Sequence, residues 1–249
     1  MNREEEDGHV RIFGNLEWTE YLTEEEAEQK WPDAACTICR HKLSEEEMEK
    51  SPNCPGCGAR ERTRSLVVVD HYVGKMNERI IDGELLAFAL TKREREIIDH
   101  NYQEILSVSL FGSYGEGHET GIDVRDLSRY EEGRFCGSFS SLLFDYFEEH
   151  DKALSELNRV ITPGGVFITH VSSGRFSDKY NSPTEVSRVT ANPQKKNMQY
   201  LGEESIPHVM FTKEWLFNAI GRNGFQPGTI SVRDTITGNY LHWYIGIKN

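Results

Sequence analysis

The stretch from Lys152 to Val171, KALSELNRVITPGGVFITHV, constrains the fold more than any other part of the chain. Ala153, Leu154, Leu157, Val160 and Ile161 recur at helical spacing, so its first half reads as an amphipathic helix. Pro163-Gly164-Gly165 follows. Proline denies a helix its donor and the glycines turn the chain, so the helix is expected to stop there. Val166 to Val171 is a β-branched run of the kind that fills a buried strand. Helix, turn and buried strand make the second half of a βαβ unit.

The same alternation runs through the rest of the chain. Glu84–Leu90 (ELLAFAL), Ile105–Phe111 and Phe135–Leu143 read as strands, Ile122–Leu127 as a short strand, and Lys92–His100 as a charged helix. Gly112–Gly121 reads as a plain loop, because Gly115-Glu-Gly117 lacks both GxGxxG and a Walker lysine. The polar stretch Ser172–Pro207 is long for a connection, which suggests a lid. Thr212–Asn223 is expected as a helix capped by Thr212 and ended by Gly224. Thr229–Asp234 and Tyr240–Lys248 are expected as strands joined through Ile236–Asn239. Ahead of these, Met1–Gly8 reads as a frayed acidic end, Val10–Tyr21 as a short strand and turn, and Leu22–Lys30 as a solvated helix with Thr23 as cap. The fold class is therefore α/β, a doubly wound sheet with an antiparallel edge.

Length and charge narrow the function. The 249 residues suffice for one large α/β domain and a small appendage. A net charge of -13 argues against a nucleic-acid backbone or an anionic membrane as the main partner. No apolar run approaches the roughly 18–20 residues that span a bilayer, and the acidic start MNREEEDGHV has no apolar h-region. The expectation is a cytoplasmic protein whose cysteines are reduced or metal-bound.

Cys36-Thr-Ile-Cys39 and Cys54-Pro-Gly-Cys57 are the strongest chemical signal. Two CxxC knuckles offer four thiolates to one tetrahedral ion, the pattern of structural zinc. Two disulfides or a set of redox-active thiols would use the same residues. Cys36, Cys39, Cys54 and Cys57 together fill a coordination sphere, so a zinc here is structural and leaves His41 outside. Ser44-Glu-Glu-Glu47 between the knuckles is a capping-box pattern. Arg60, Arg62 and Arg64 open the next helix; phosphate binding is one reading, ion pairs with nearby glutamates the plainer one. Cys136 reads as a small core residue.

Four segments carry a family resemblance: Cys54-Pro-Gly-Cys57-Gly-Ala-Arg60-Glu-Arg62, Gly121–Leu127, Lys152–Val171, and Leu201-Gly202 through His208-Val209. They resemble class I S-adenosylmethionine (SAM) methyltransferases that have an N-terminal four-cysteine zinc-binding module. The resemblance implies a zinc module over residues 1–64, a seven-stranded methyltransferase-like domain over 65–249, and SAM lying across the carboxyl ends of the central strands. It places Phe88, Ala89, Leu90, Thr91, Ser109, Asp126, Leu127 and Ser141 in the cofactor cleft, with Asp126 on the adenine amino group. His208 and His170 are the candidates for a general base, with His118 at the rim; each is otherwise an ordinary polar residue. Where the family has carboxylates, this chain has Thr91, Ser109 and Cys136. A lost charge-assisted hydrogen bond costs about 1.5–3 kcal/mol. Three functions follow: methyl transfer from SAM to a small molecule, a cofactor-free binding or scaffold module on the same fold, and non-methyl chemistry.

Overall fold

The computed structural model describes residues 10–14, 24–77, 83–110, 118–172, 176–190 and 205–249. The expected frayed end Met1–Gly8, the Thr23 cap and the Gly115-Glu-Gly117 loop lie outside those residues. In chain order the elements are β1 (Val10–Gly14), α1 (Glu24–Lys30), α2 (Glu45–Lys50), α3 (Glu61–Asn77), β2 (Glu84–Phe88), α4 (Lys92–Ile98), β3 (Glu104–Ser109) and β4 (His118–Thr120). There follow β5 (Phe135–Ser141), α5 (His150–Val160), β6 (Ile161–His170), β7 (Thr184–Thr190), β8 (Ser205–Met210), α6 (Lys213–Arg222), β9 (Phe225–Arg233) and β10 (Tyr240–Lys248).

One sheet of eight strands runs in the order β1-β9-β10-β6-β5-β2-β3-β4. β4, β3, β2, β5 and β6 are parallel, and β10 is antiparallel to both β6 and β9. Seven of these strands make the expected doubly wound sheet with an antiparallel edge; β1 extends it by pairing antiparallel with β9. Both faces are covered. Leu66, Val69 and Val73 of α3 and Ile98 of α4 pack with Leu85, Ala87, Ile168 and Ile245 on one face. Ala153, Leu154 and Leu157 of α5 and Leu216 and Ile220 of α6 pack with Leu86, Phe88, Phe167 and Tyr244 on the other. This two-sided burial explains the near-continuous apolar character of the parallel strands.

Three expectations need correction. Ile122–Leu127 is not a strand. Asp123 Oδ1 accepts from the Arg125 amide at 2.9 Å, and Asp126 Oδ1 from the Ser128 amide at 3.2 Å. Such side-chain bonds two residues on stabilise turns in place of a ladder. The strand lies just before, in His118–Thr120, which pairs with Ser107–Ser109. The helix before Pro163 ends at Val160, and Ile161 is already extended. Pro163-Gly164-Gly165 therefore lies inside β6, where the register against β5 jumps from Phe135↔Ile161 to Gly137↔Val166. Gly164 takes φ +79°. A Cβ on Gly165 would lie 2.6 Å from the Cys136 carbonyl oxygen, so only glycine fits this crossing. Finally, the described parts of Ser172–Pro207 include strand β7, which pairs antiparallel with β8 from Thr184↔Met210 to Thr190↔Ser205.

Candidate functional site

The two cysteine knuckles have the same backbone. Cys36 N–H donates to the His41 carbonyl and accepts at its own carbonyl from Arg40 N–H, both at 2.9 Å. Cys54 repeats this with Ala59 and Gly58 at 3.0 and 2.6 Å. The fourth residue after each first cysteine, Arg40 at φ +62° and Gly58 at φ +71°, is left-handed and closes the loop. All four Sγ atoms lie within 4.8 Å of one another. Cys36–Cys57 and Cys39–Cys54 are 3.7 and 3.6 Å apart, whereas a tetrahedral site of four thiolates with zinc–sulfur bonds of about 2.3 Å has edges of about 3.8 Å. The residues fit zinc, and the separations are too long for disulfides. His41 is not in the cluster; it packs over Gly56 and pairs with Glu47 at 3.6 Å.

Chain order in the parallel sheet reverses between β2 and β5, and ligands of such sheets bind at the carboxyl ends of the strands flanking that point. Two non-glycine residues with positive φ stand there, Ala89 (+51°) after β2 and Leu142 (+64°) after β5. Their amides are held by the carbonyls of Val108 and His170, both at 2.8 Å. Left-handed backbone is strained for these residues and concentrates at functional turns. Thr91 caps α4: its hydroxyl and amide both donate to Glu94 Oε2, at 2.7 and 3.0 Å. The other oxygen of this buried glutamate pairs with Arg62 Nε at 3.2 Å. Arg93, also on α4, donates to the Cys57 carbonyl at 2.5 Å, so the second knuckle abuts the same turn. The reading of the Arg60–Arg64 segment as ion pairs with glutamates holds for Arg62; Arg64 pairs instead with a distant aspartate, Asp234.

Phe88, Leu90, Ser109 and Leu127 are buried at this end of the sheet. Ser141 ends β5 directly opposite His170, and its Oγ has no hydrogen-bond partner among the described residues. Asp126 is exposed and turned toward Ser128. Asp123, which the sequence reading passed over, is the half-buried acid following β4. Burial pushes its carboxyl up, but hydrogen bonds from the Arg125 side chain and amide and that guanidinium's charge hold it below the ordinary range. Its position between two apolar residues, Ile122 and Val124, was the available signal.

The histidines have separate surroundings. His170 lies against Trp243, ring centroids 5.0 Å apart, and is 4% exposed. Burial, with Arg62 and His242 adding, lowers its pKa to about 3, so it stays neutral at physiological pH. His208 on β8 faces Tyr146 at 5.6 Å. His118 meets Ser107 Oγ at 2.7 Å. His150, not singled out by sequence, is caged by Phe144, Phe147, Phe211 and Trp215 and donates Nε2–H to the Phe144 carbonyl. Burial lowers its pKa to about 4.

Acid should therefore destabilise this fold well above the carboxylate range. An unfolded histidine binds its proton near pH 6.5, whereas folded His150 and His170 bind only near 4 and 3. The unfolded state gains protons first, so stability is full above pH 6.5 and falls as pH drops toward those values, by about 2 kcal/mol for each at pH 5. Asp70 works the other way, because burial raises it to about 6, and offsets part of the loss. Urea midpoints at pH 7.5 and 5.0 measure the net; equal midpoints would contradict the burial of these rings.

Residues 114–169 match the family described as "Methyltransferase domain". No curated protein sequence matches the chain. Among solved structures, the Burkholderia thailandensis 1,6-didemethyltoxoflavin-N1-methyltransferase, crystallised with 1,6-didemethyltoxoflavin and S-adenosylhomocysteine, matches at TM-score 0.51 and 16% identity, covering 75% of this chain and 78% of its own. A SAM-dependent methyltransferase from Clostridium acetobutylicum matches at TM-score 0.52 and 12% identity, covering 78% and 94%. At these identities the likeness concerns the fold. The strand order and these matches together establish a class I methyltransferase fold, with the methyltransferase-domain family pattern in residues 114–169.

Proposed function

We propose that this protein transfers a methyl group from SAM to a small molecule, and that zinc bound by Cys36, Cys39, Cys54 and Cys57 holds its N-terminal module in place. The observation that carries the first part is the switch point itself. Ala89 and Leu142 hold left-handed turns after the two strands that flank it, and Ser141, which directly precedes Leu142 and pairs with His170 across the sheet, has an Oγ with no partner among the described residues. A buried hydroxyl without a partner disfavours an empty site and suits a polar ligand. Bound there, SAM supplies an electrophilic methyl group. The protein's part is alignment: Ser141 and Ser109 offer hydroxyls, Asp123 offers a carboxylate at the β4 side, and Phe88 and Leu90 exclude water. The net charge of -13 fits a small-molecule acceptor better than a nucleic acid or a membrane surface. Among the described residues no helix is long and apolar enough to cross a membrane, and four reduced thiols poised for zinc suit the cytoplasm.

Calorimetry with SAM and with S-adenosylhomocysteine tests this. Binding at micromolar ligand is expected; no heat at millimolar ligand overturns it. The second reading, a cofactor-free module, is favoured by the Arg62–Glu94–Thr91 cluster, which closes the turn after β2 with protein groups alone.

A further inference from the structure

Lys213, His242 and Ser231 form a hydrogen-bonded line at the same end of the sheet as the crevice. β10 places Trp243 opposite His170, so His242 stands beside the carboxyl end of β6. Ser231 lies directly across from His242 on β9, with its Oγ 2.7 Å from Nδ1. Lys213 opens α6 and brings Nζ to 2.8 Å from Nε2 of the same ring. An ammonium only donates. Nε2 therefore accepts and Nδ1–H points to Ser231; a neutral Lys213 amine donates to Nε2 in the same sense and keeps its lone pair free for a proton.

The surroundings disfavour the charge on Lys213. It stands in the first turn of α6, where the helix dipole repels a cation, a place that normally favours acidic residues. Partial desolvation by the protein around Nζ pushes its ammonium below the usual range, against the pull of Asp178 from the segment after β6. Glu214 follows it on α6, and His170 on β6 senses His242. Beneath the line, Phe176 lies 5.5 Å from Lys213 Nζ and 6.2 Å from the His242 ring, with Tyr244 behind it at 6.0 Å. Lys213 is exposed, unlike His170, so a substrate reaches it.

We propose that Lys213, oriented by His242 and Ser231, takes the proton from the acceptor molecule, whose ring or chain lies over Phe176. This rests on the methyl-transfer reading above. The acceptor's heteroatom forms its bond to the methyl carbon, the pair of the broken methyl–sulfur bond stays on sulfur, and the heteroatom's proton moves to the neutral Lys213 amine. An amine less basic than free lysine matches a phenol, or an amine whose proton becomes acidic as the new nitrogen–carbon bond forms, rather than an aliphatic alcohol.

Competitive labelling of the full zinc-loaded chain with acetic anhydride, read by peptide mass spectrometry, tests the state of Lys213. It should reach half-reactivity at a lower pH than the exposed Lys92, which serves as internal reference. Co-titration with Lys92 overturns the proposal. Lys213→Met should still bind S-adenosylhomocysteine within about twofold of the parent, since the line stands off the cofactor crevice; a tenfold loss would make Lys213 a cofactor contact and overturn its role as proton acceptor. Failure of the parent to bind S-adenosylhomocysteine overturns the methyl-transfer reading and this role together. An ordinary Lys213 in a chain that binds it overturns this role alone.

Discussion

Replacing Cys54 with serine should strip the protein of its metal and lower its thermal midpoint by about 10 °C or more. Cys54 is 1% exposed and lies in a small core of its own with Cys36, Leu43 and Ile236. That core has few apolar side chains, so on the proposed zinc reading the metal supplies most of what orders residues 34 to 59. A serine hydroxyl is a poor zinc ligand, and three thiolates hold the ion far more weakly than four. The loss spreads because the module is tied to the sheet. Ala34 N–H donates to the Thr235 carbonyl at 2.8 Å, Thr235 Oγ1 to the Ala35 carbonyl at 2.6 Å, and Arg93 to Cys57. Metal analysis should find one zinc per parent chain and almost none in the variant. Cys136→Ser, a buried thiol on β5, should keep its zinc. Full metal content in Cys54→Ser, or an unchanged midpoint, would remove zinc from the account.

What the sequence revealed and what it hid divide along physical lines. The helix and the strand of Lys152–Val171, the capping box at Ser44 and the cap at Thr212 were legible because each rests on neighbours within a few residues, whereas the place of Pro163-Gly164-Gly165 inside β6 was not, because it depends on the register with β5. The cysteine cluster was legible because its two halves are local loops and only their meeting is long-range. β4 was not. It is three residues long, and its ladder with β3 carries no local pattern, whereas Ile122 and Val124 alternate like a strand and are buried in a turn instead. In the candidate site, Ser141 and Phe88 could be placed by counting strands, but Glu94 could not, because its partner Arg62 arrives from α3. The line from Lys213 to Ser231 was equally hidden, since α6 and two antiparallel strands must fold before its members meet.

Arg64→Met should cost about 3–5 kcal/mol, more than any surface ion pair in the chain. Arg64 and Asp234 are both fully buried and joined by two parallel bonds, Nε to Oδ1 at 2.7 Å and Nη2 to Oδ2 at 2.6 Å. Removing the guanidinium leaves a carboxylate in the interior with, among the described residues, only Thr237 donating to it. It also takes a donor from the carbonyls of Pro52 and Ala59, which flank the Cys54 knuckle and accept from Nη2 and Nη1; Ala59 keeps only its bond from the Cys54 amide. The same side chain therefore ties the metal loop to α3 and to the turn between β9 and β10. Zinc should leave Arg64→Met faster in the presence of a chelator, although no ligand has been touched. Arg64→Met combined with Asp234→Leu should recover part of the stability, because the uncompensated charge is gone, but not the zinc retention, because the bonds from Nη2 and Nη1 to the Pro52 and Ala59 carbonyls are still missing. Denaturant midpoints and the rate of zinc release separate these effects. Equal zinc release from the parent and Arg64→Met would mean that the knuckle holds its shape without the arginine, and that the ion pair serves only the join between α3 and the sheet.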